Sequence, residues 1–299
     1  MKSEIWQSTI EAIKKRGGTP EFPTLSSIDS FLWGYSRGAV TVVGARPGEG
    51  KTSFLMQTAF SLADKNKKVL FISLEMSPEQ LCERLLSCFL GISSMSMKTN
   101  RVSSEEWQKI DNFIKMCVAF NLEIEKGGDR KRTDYEQIVE LTKIQDPDII
   151  FIDHIQRIKV NRLEGMTENT AITEFMVAIT DFAKSENRAV VVASQLRRHL
   201  SELKSHPPTL QDLMWSGAIE QNADAVLFLY RPARYGEIGK LPNDKIYKGY
   251  EYDKRMLEYQ QNNDKSRCEI HIAKNRNGSE GKAIVRFIGE RYKFVDYEE

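Results

Sequence analysis

The run Val40-Thr41-Val42-Val43-Gly44-Ala45-Arg46-Pro47-Gly48-Glu49-Gly50-Lys51-Thr52-Ser53 passes from a β-branched segment through a Gly/Pro loop into a helix-forming segment. That order of residue types suits a nucleotide-phosphate cradle. A triphosphate needs several convergent N–H donors, and a loop entering a helix N-terminus supplies them with the positive end of the helix dipole. Gly48 and Gly50 let the backbone approach without a Cβ, Lys51 places a point charge near the β and γ phosphates, and the Thr52 hydroxyl is suited to ligate Mg²⁺. The first motif position falls on Ala45, with Gly44 one place early, so the pattern is Ala/Gly-x-x-x-x-Gly-Lys-Ser/Thr and Ala45 to Ser53 is the expected phosphate-binding stretch. A chance Gly-rich turn is the plainer alternative.

Four further constellations fit nucleotide chemistry. Ile149-Ile150-Phe151-Ile152-Asp153 is an apolar strand ending in a carboxylate, the form of a Walker B element that holds Mg²⁺ at the C-terminal edge of a parallel sheet. Glu75 follows the apolar strand 68–73 directly and is the candidate base that orients an attacking water; an acid favoured by a helix N-terminus is the alternative. Gln195 ends Val190-Val191-Val192-Ala193-Ser194 and is placed to sense a γ phosphate, although such a Gln is also an ordinary loop residue. Lys274-Asn275-Arg276-Asn277-Gly278 sets two cations on a turn, where Arg276 would serve as an arginine finger and Lys274 as a second charge, if the turn is not simply a solvated hairpin.

The elements that must position these groups alternate. Strands are expected at 39–43, 68–73, 122–125, 148–152, 189–193 and 225–230, with helices after the phosphate loop, from Ser77 with Pro78 at its first position, and over 103–120, 134–145 and 169–185. Ser103-Ser104-Glu105-Glu106 resembles a capping box. Strand–helix alternation implies an α/β fold with a mostly parallel sheet flanked by helices. Runs at 267–273, 282–288 and 292–295 add an antiparallel C-terminal edge. Leu25, Ile28, Phe31, Leu32 and Trp33 are expected to cover the core edge before the first strand. Residues 231–266 break the pattern and read as a long loop or insertion. At the other end, the apolar spacing of Ile5, Trp6, Ile10 and Ile13 predicts a helix closed by Gly17-Gly18-Thr19-Pro20, giving a linker helix and hinge over 1–20 and one domain over 21–299.

The 299 residues, 40% hydrophobic, suffice for one large domain, and 43 basic against 42 acidic residues leave a formal net charge of +1. Any polyanion site must therefore be a local patch. Four cysteines without C-x-x-C spacing argue against zinc or a disulfide framework and for a reducing cytoplasm. The sequence shows no apolar run approaching ~20 residues and no leader, so no membrane span is expected.

Taken together, Gly44 to Ser53, Ser73-Leu74-Glu75-Met76-Ser77, Ile152-Asp153-His154-Ile155-Gln156, Ser194-Gln195-Leu196-Arg197-Arg198, Ser216 to Asp224 and Ala273 to Gly278 resemble the C-terminal motor domain of DnaB-type replicative DNA helicases. The resemblance runs from about Thr24 onward and carries all six segments in the family's order. It implies a RecA-like P-loop NTPase fold and a ring hexamer, with Lys51, Thr52 and Asp153 on ATP-Mg²⁺ and Glu75 as base. It further implies Arg84 at the nucleotide, Gln195 as sensor, Lys274 and Arg276 inserted from an adjacent subunit, and residues 1–19 as the linker helix that packs on a neighbour.

Two departures from the family pattern bear on function. The family's usual N-terminal domain is expected to be absent, which puts hexamer stability and coupling to a primase or helicase loader in question. Where the family typically has an Arg in the channel-lining loop, Asp212-Leu213-Met214-Trp215-Ser216-Gly217 has Met214. Trp215 is a candidate to stack on a base of single-stranded DNA, with packing against Leu213 or a subunit interface as the alternative. Gly217, Arg197 and Arg198 complete the expected nucleic-acid contacts. Two functions remain open on the sequence: a helicase motor that unwinds duplex DNA during replication, or an ATPase that binds or loads single-stranded DNA, or forms recombinase-like filaments, without processive unwinding.

Overall fold

The computed structural model describes residues 10, 20–127, 134–158, 167–197, 207–235, 254, 256 and 264–297. The expected linker helix falls outside the described residues, as does most of the 231–266 segment.

Six strands form the parallel part of one sheet: β1 (Val40–Ala45), β2 (Val69–Ser73), β3 (Leu122–Lys126), β4 (Ile149–Asp153), β5 (Ala189–Gln195) and β6 (Ala225–Tyr230). Three more, β7 (Arg267–Asn275), β8 (Gly281–Ile288) and β9 (Lys293–Asp296), continue it as an antiparallel edge, giving the order β3-β2-β4-β5-β1-β6-β7-β8-β9. Every residue of β1, β2, β4 and β6 is buried. That is why these strands read as continuous apolar runs, since a parallel sheet is covered on both faces.

The pleat divides their side chains between two cores. On one face Val43, Phe71, Phe151 and Val191 pack with α1 (Ser26–Leu32), α2 (Lys51–Asp64), α3 (Pro78–Leu90) and α5 (Ser104–Cys117); the short helix α4 (Ser94–Lys98) lies between the last two in sequence. On the other, Val42, Ile72, Ile150 and Val192 pack with α6 (Asp134–Gln145), α7 (Glu168–Ser185) and α8 (Ser216–Asn222). The doubly covered sheet with an antiparallel edge is the expected fold.

Local chemistry sets the helix starts. Both Ser77 with Gln80 and Ser103 with Glu106 form reciprocal capping boxes, and Pro78 opens α3. Three helices escape the sequence reading, α1, α4 and α8, because none is longer than seven residues and all are too short to show a helical period. One expected covering residue is misplaced: Trp33 is 60% exposed. It occupies the left-handed C-cap of α1 at φ 56°, which turns the chain away while Ile28 and Leu32 go inward. Among the described residues no helix is long and apolar enough to cross a membrane.

Phe294 on β9 is 1% exposed and packs edge-on against Phe54 and beside Phe287. Phe294→Ala is expected to lower stability by about 3–5 kcal/mol, against about 1 kcal/mol for removal of the α5 cap by Ser103→Ala. Urea midpoints of the two variants check the ranking.

Candidate nucleotide site

The phosphate loop leaves β1 at Ala45 and enters α2 at Lys51, with Gly48 at φ 80° and Gly50 at φ 100°. Gly50 is required twice over. Its backbone is left-handed, and a Cβ there would sit 2.9 Å from Phe294 and 3.1 Å from Phe287. The first turn of α2 leaves its amides without intrahelical partners, so the cradle expected from the sequence is present in the backbone. Lys51 lies behind it with Nζ buried and without a hydrogen-bond partner. Burial lowers the Lys51 pKa, and Asp153 and Glu75 pull it part of the way back.

Strand order brings the other candidates to the same edge. The C-terminal ends of β2, β4, β5 and β1 stand side by side, with Ser73 level with Asp153 and Ala45 level with Gln195. Asp153 is 1% exposed, and neither carboxylate oxygen has a hydrogen-bond partner. Two orphaned carboxylate oxygens at this edge, beside a cleft lined by Thr52, suit a hydrated Mg²⁺, so Asp153 and Thr52 would hold the metal, and the orphaned Lys51 ammonium suits a phosphate.

Beyond β2, the Ser73 hydroxyl donates to the Met76 carbonyl (2.7 Å) and accepts from the Met76 amide (3.1 Å), closing a turn that holds Glu75 at the mouth of the site. Glu75 Oε2 is 3.3 Å from Nδ1 of the buried His154. Burial, then the neighbouring Lys51, lowers the His154 pKa. Gln195 is fixed through its backbone: Gln156 Oε1 accepts from the Gln195 amide (3.0 Å), and Gln156 Nε2 donates to Ser194 Oγ (3.1 Å). The Gln195 side chain is left to line the cleft.

The cleft has a volume of about 790 Å³. Every residue of Ala45 to Ser53 lines it except Glu49, which is 1% exposed and turned beneath the loop. Glu49 is thus the one residue of the expected stretch whose side chain turns away from the cleft: a carboxylate facing a triphosphate would be repelled, and this one accepts a hydrogen bond from Tyr235. Arg84 lies in the cleft as expected, its guanidinium 5.0 Å from the Tyr292 ring centroid. Tyr292 and Phe287 supply an aromatic wall that the sequence reading missed, as it missed Arg231 and Arg234 in the cleft and His154 and Gln156 behind Glu75 and Gln195. His154 and Gln156 sit within the quoted Walker B segment and were legible by proximity. Tyr292 and Phe287 lie more than 200 residues from the loop with no spacing to connect them.

The remaining candidates form two groups. Leu196 and Leu213 bridge as isolated antiparallel partners and the Arg197 amide donates to the Asp212 carbonyl, which brings exposed Arg197 beside the 212–217 loop at the same sheet edge as the cleft. Gly217 is exposed with open space around it. Trp215 is half-buried and packs against the core cluster that contains Leu213 and Ile219. Arg198 lies outside the described residues. Lys274 and Arg276 are at the opposite edge: Asn275 is level with Ala225, where β6 begins, and the six residues of β1 put about 20 Å between the two edges. There Lys274 Nζ donates to the carbonyls of Glu220 and Ala223, and Arg276 to the Gln221 carbonyl (2.7 Å) and the Asp224 carboxylate (3.3 Å). The pair cannot reach the Lys51 of its own chain.

Comparison with known proteins agrees with this geometry. The DnaB-like helicase C terminal domain matches residues 23–296. The Replicative DNA helicase DnaB of Helicobacter pylori (strain ATCC 700392 / 26695) is 30% identical over 99% of the chain, which spans 64% of that relative's length. A probable plasmid replicative DNA helicase of Chlamydia psittaci is 33% identical over 92% of the chain and 55% of its own. Among solved structures, a DnaB-like replicative helicase described with its interactions with primase superposes with a TM-score of 0.81 at 26% identity, over 97% of this chain and 67% of that one. A second solved structure, of an isolated ATPase domain, also gives 0.81 at 26% identity, over 99% and 98%. With the matched segment running across the parallel sheet, the phosphate loop and the antiparallel edge, the chain belongs to the family of DnaB-like helicase C-terminal domains.

Proposed function

We propose that this chain is the motor of a replicative DNA helicase, hydrolysing ATP between the subunits of a homohexameric ring to move along single-stranded DNA and unwind duplex. The observation that carries this reading is the division of the site between the two edges of one sheet. Lys51, Thr52, Asp153 and Glu75 meet at one edge, and Lys274 and Arg276 are held at the other. A second copy is then the source of the missing cations.

Thr52 and Asp153 would hold Mg²⁺, which when bound neutralises charge developing on the transferred phosphoryl group. Lys51 and the loop amides bind the β and γ phosphates. Arg84 and Tyr292 would hold the base end of the nucleotide, Glu75 orients the attacking water, and Gln195 reports the γ phosphate toward Arg197. Arg276 and Lys274 of a neighbour stabilise the transition-state charge in trans. Arg197, Trp215 and Gly217, gathered on one edge, would face DNA, with part of Trp215 taken up by packing against the core. Coupling to a primase or loader, and a cytoplasmic setting, belong to the same reading. The alternative of a filament or loading module without unwinding has less support, because the relatives and solved neighbours carry helicase names.

Glu75→Gln is expected to lower kcat for ATP by about 10²–10⁴-fold while nucleotide affinity stays within a few-fold; single-turnover kinetics with a binding isotherm check this, and near-normal turnover would remove Glu75 from the role. Mixing Arg276→Ala with Lys51→Ala chains should restore part of the activity that each lacks alone, since some interfaces then pair an intact loop with an intact finger. No recovery at any ratio would count against action in trans. Closed six-fold rings in negative-stain images with ATP and single-stranded DNA, together with strand displacement on a forked substrate, support the motor; filaments that hydrolyse ATP without displacement support the alternative.

A further inference from the structure

An acid inside the phosphate loop poses an electrostatic problem that the fold answers with a specific set of contacts. Glu49 is one residue from Gly48 and two from Lys51, so its carboxylate has the reach to face a bound triphosphate. It is instead drawn under the loop by the short 3₁₀ turn Pro232–Tyr235 that follows β6. The Tyr235 hydroxyl donates to Glu49 Oε1, and Arg234 lies 3.5 Å from the same oxygen. Arg234 also donates to the Gly48 carbonyl, and its guanidinium lies so close that a Cβ on Gly48 would come within 2.9 Å of it. The Tyr235 ring is itself fixed, stacked on Tyr230 at 5.6 Å with the planes 6° apart, and the Arg46 guanidinium lies over both rings, 4.6 Å from the Tyr235 centroid and 6.0 Å from that of Tyr230.

We propose that the Pro232–Tyr235 turn is a clasp on the phosphate loop, and that Arg234 and Tyr235 are positioning residues that keep the Glu49 carboxylate turned away from the nucleotide phosphates. The clasp is bidentate in a mechanical sense, since Arg234 holds the loop's backbone and Tyr235 its one acidic side chain. The phenol favours the same arrangement: burial together with Glu49 pushes Tyr235 up to about 12, so it remains a donor at neutral pH. Burial raises the Glu49 pKa, and the hydrogen bond from Tyr235 and the nearby arginines offset part of that cost of tucking the carboxylate under the loop. This inference rests on the assignment of the cleft to ATP.

A double-mutant cycle on the full chain tests it, read as KM against kcat for ATP hydrolysis with single-stranded DNA present. In the Glu49 background Arg234→Gln and Tyr235→Phe should each raise KM for ATP at least fivefold with kcat within about twofold, because a released carboxylate repels the triphosphate in the ground state and the transition state alike. In the Glu49→Gln background the same substitutions should change KM less than twofold. A contact from Arg234 to phosphate, or a purely structural loss, would give equal effects in both backgrounds and would overturn the clasp. Tyr235→Phe deletes only a hydroxyl and guards against misfolding of the arginine variant. Absence of ATP hydrolysis by the unmodified chain would instead defeat the assignment of the cleft, so the two failures are distinguishable.

Discussion

A buried ammonium and a buried carboxylate, Lys51 and Asp153, stand at the same sheet edge without hydrogen bonds to satisfy them, and the surrounding fold holds them there. Removing such ions from water costs several kcal/mol each even after relaxation. That cost is sustained only where the surroundings are rigid. The rigidity comes from strands buried on both faces, which bring one charge to the end of β4 and the other just past the end of β1, with β5 between them. Asp153 lies level with Ser73, so the turn that carries Glu75 is fixed by the same ladder. The site is thus a property of sheet register before it is a property of any loop.

The same ladder explains why Lys274 and Arg276 stand apart from the phosphate loop. An antiparallel strand beside a parallel one returns the chain to the opposite edge, and β7 therefore delivers Lys274 and Arg276 to the far side of the sheet from the phosphate loop. There they cap the carbonyl end of α8, whose other end begins at Trp215 and the candidate DNA loop. A helix with cations on its C-terminal carbonyls is electrostatically satisfied, so the pair has a stable resting place within its own chain.

The sequence was most informative where burial is two-sided or where a cap has a fixed chemistry. Val190-Val191-Val192 and Ile149-Ile150-Phe151-Ile152 admit little but a core strand, and Ser77 with Gln80 and Ser103 with Glu106 mark helix starts to the residue. The phosphate loop, Asp153, Glu75 and Gln195 were legible as one group because each sits at or just past the C-terminal end of a buried strand, whereas Arg84, in the middle of α3, was indicated only by the family resemblance. Legibility failed where contact is made across long sequence separations by ordinary residues. Tyr292 in Glu290-Arg291-Tyr292-Lys293 has no neighbours that announce a binding wall, and nothing in the spelling of the loop reveals that Glu49 turns under it. Trp33 was expected inside and is found outside, while Trp215, for which both base stacking and packing against Leu213 were open, is found packed. Both adopt left-handed backbone at a helix end, where direction is set by the cap rather than by hydrophobicity.

The contact between Gly50 and the rings of Phe287 and Phe294 also bears on the order in which the site can come into being. The loop that binds phosphate is encoded early, yet the surface that supports its left-handed glycine is built from β8 and β9, more than 230 residues later. Closing so long a contour is entropically slow. During synthesis, the parallel strands can assemble first, but the cradle acquires its final shape only when the antiparallel edge docks beneath it. The shape of the cradle therefore depends on contacts that span most of the chain's length.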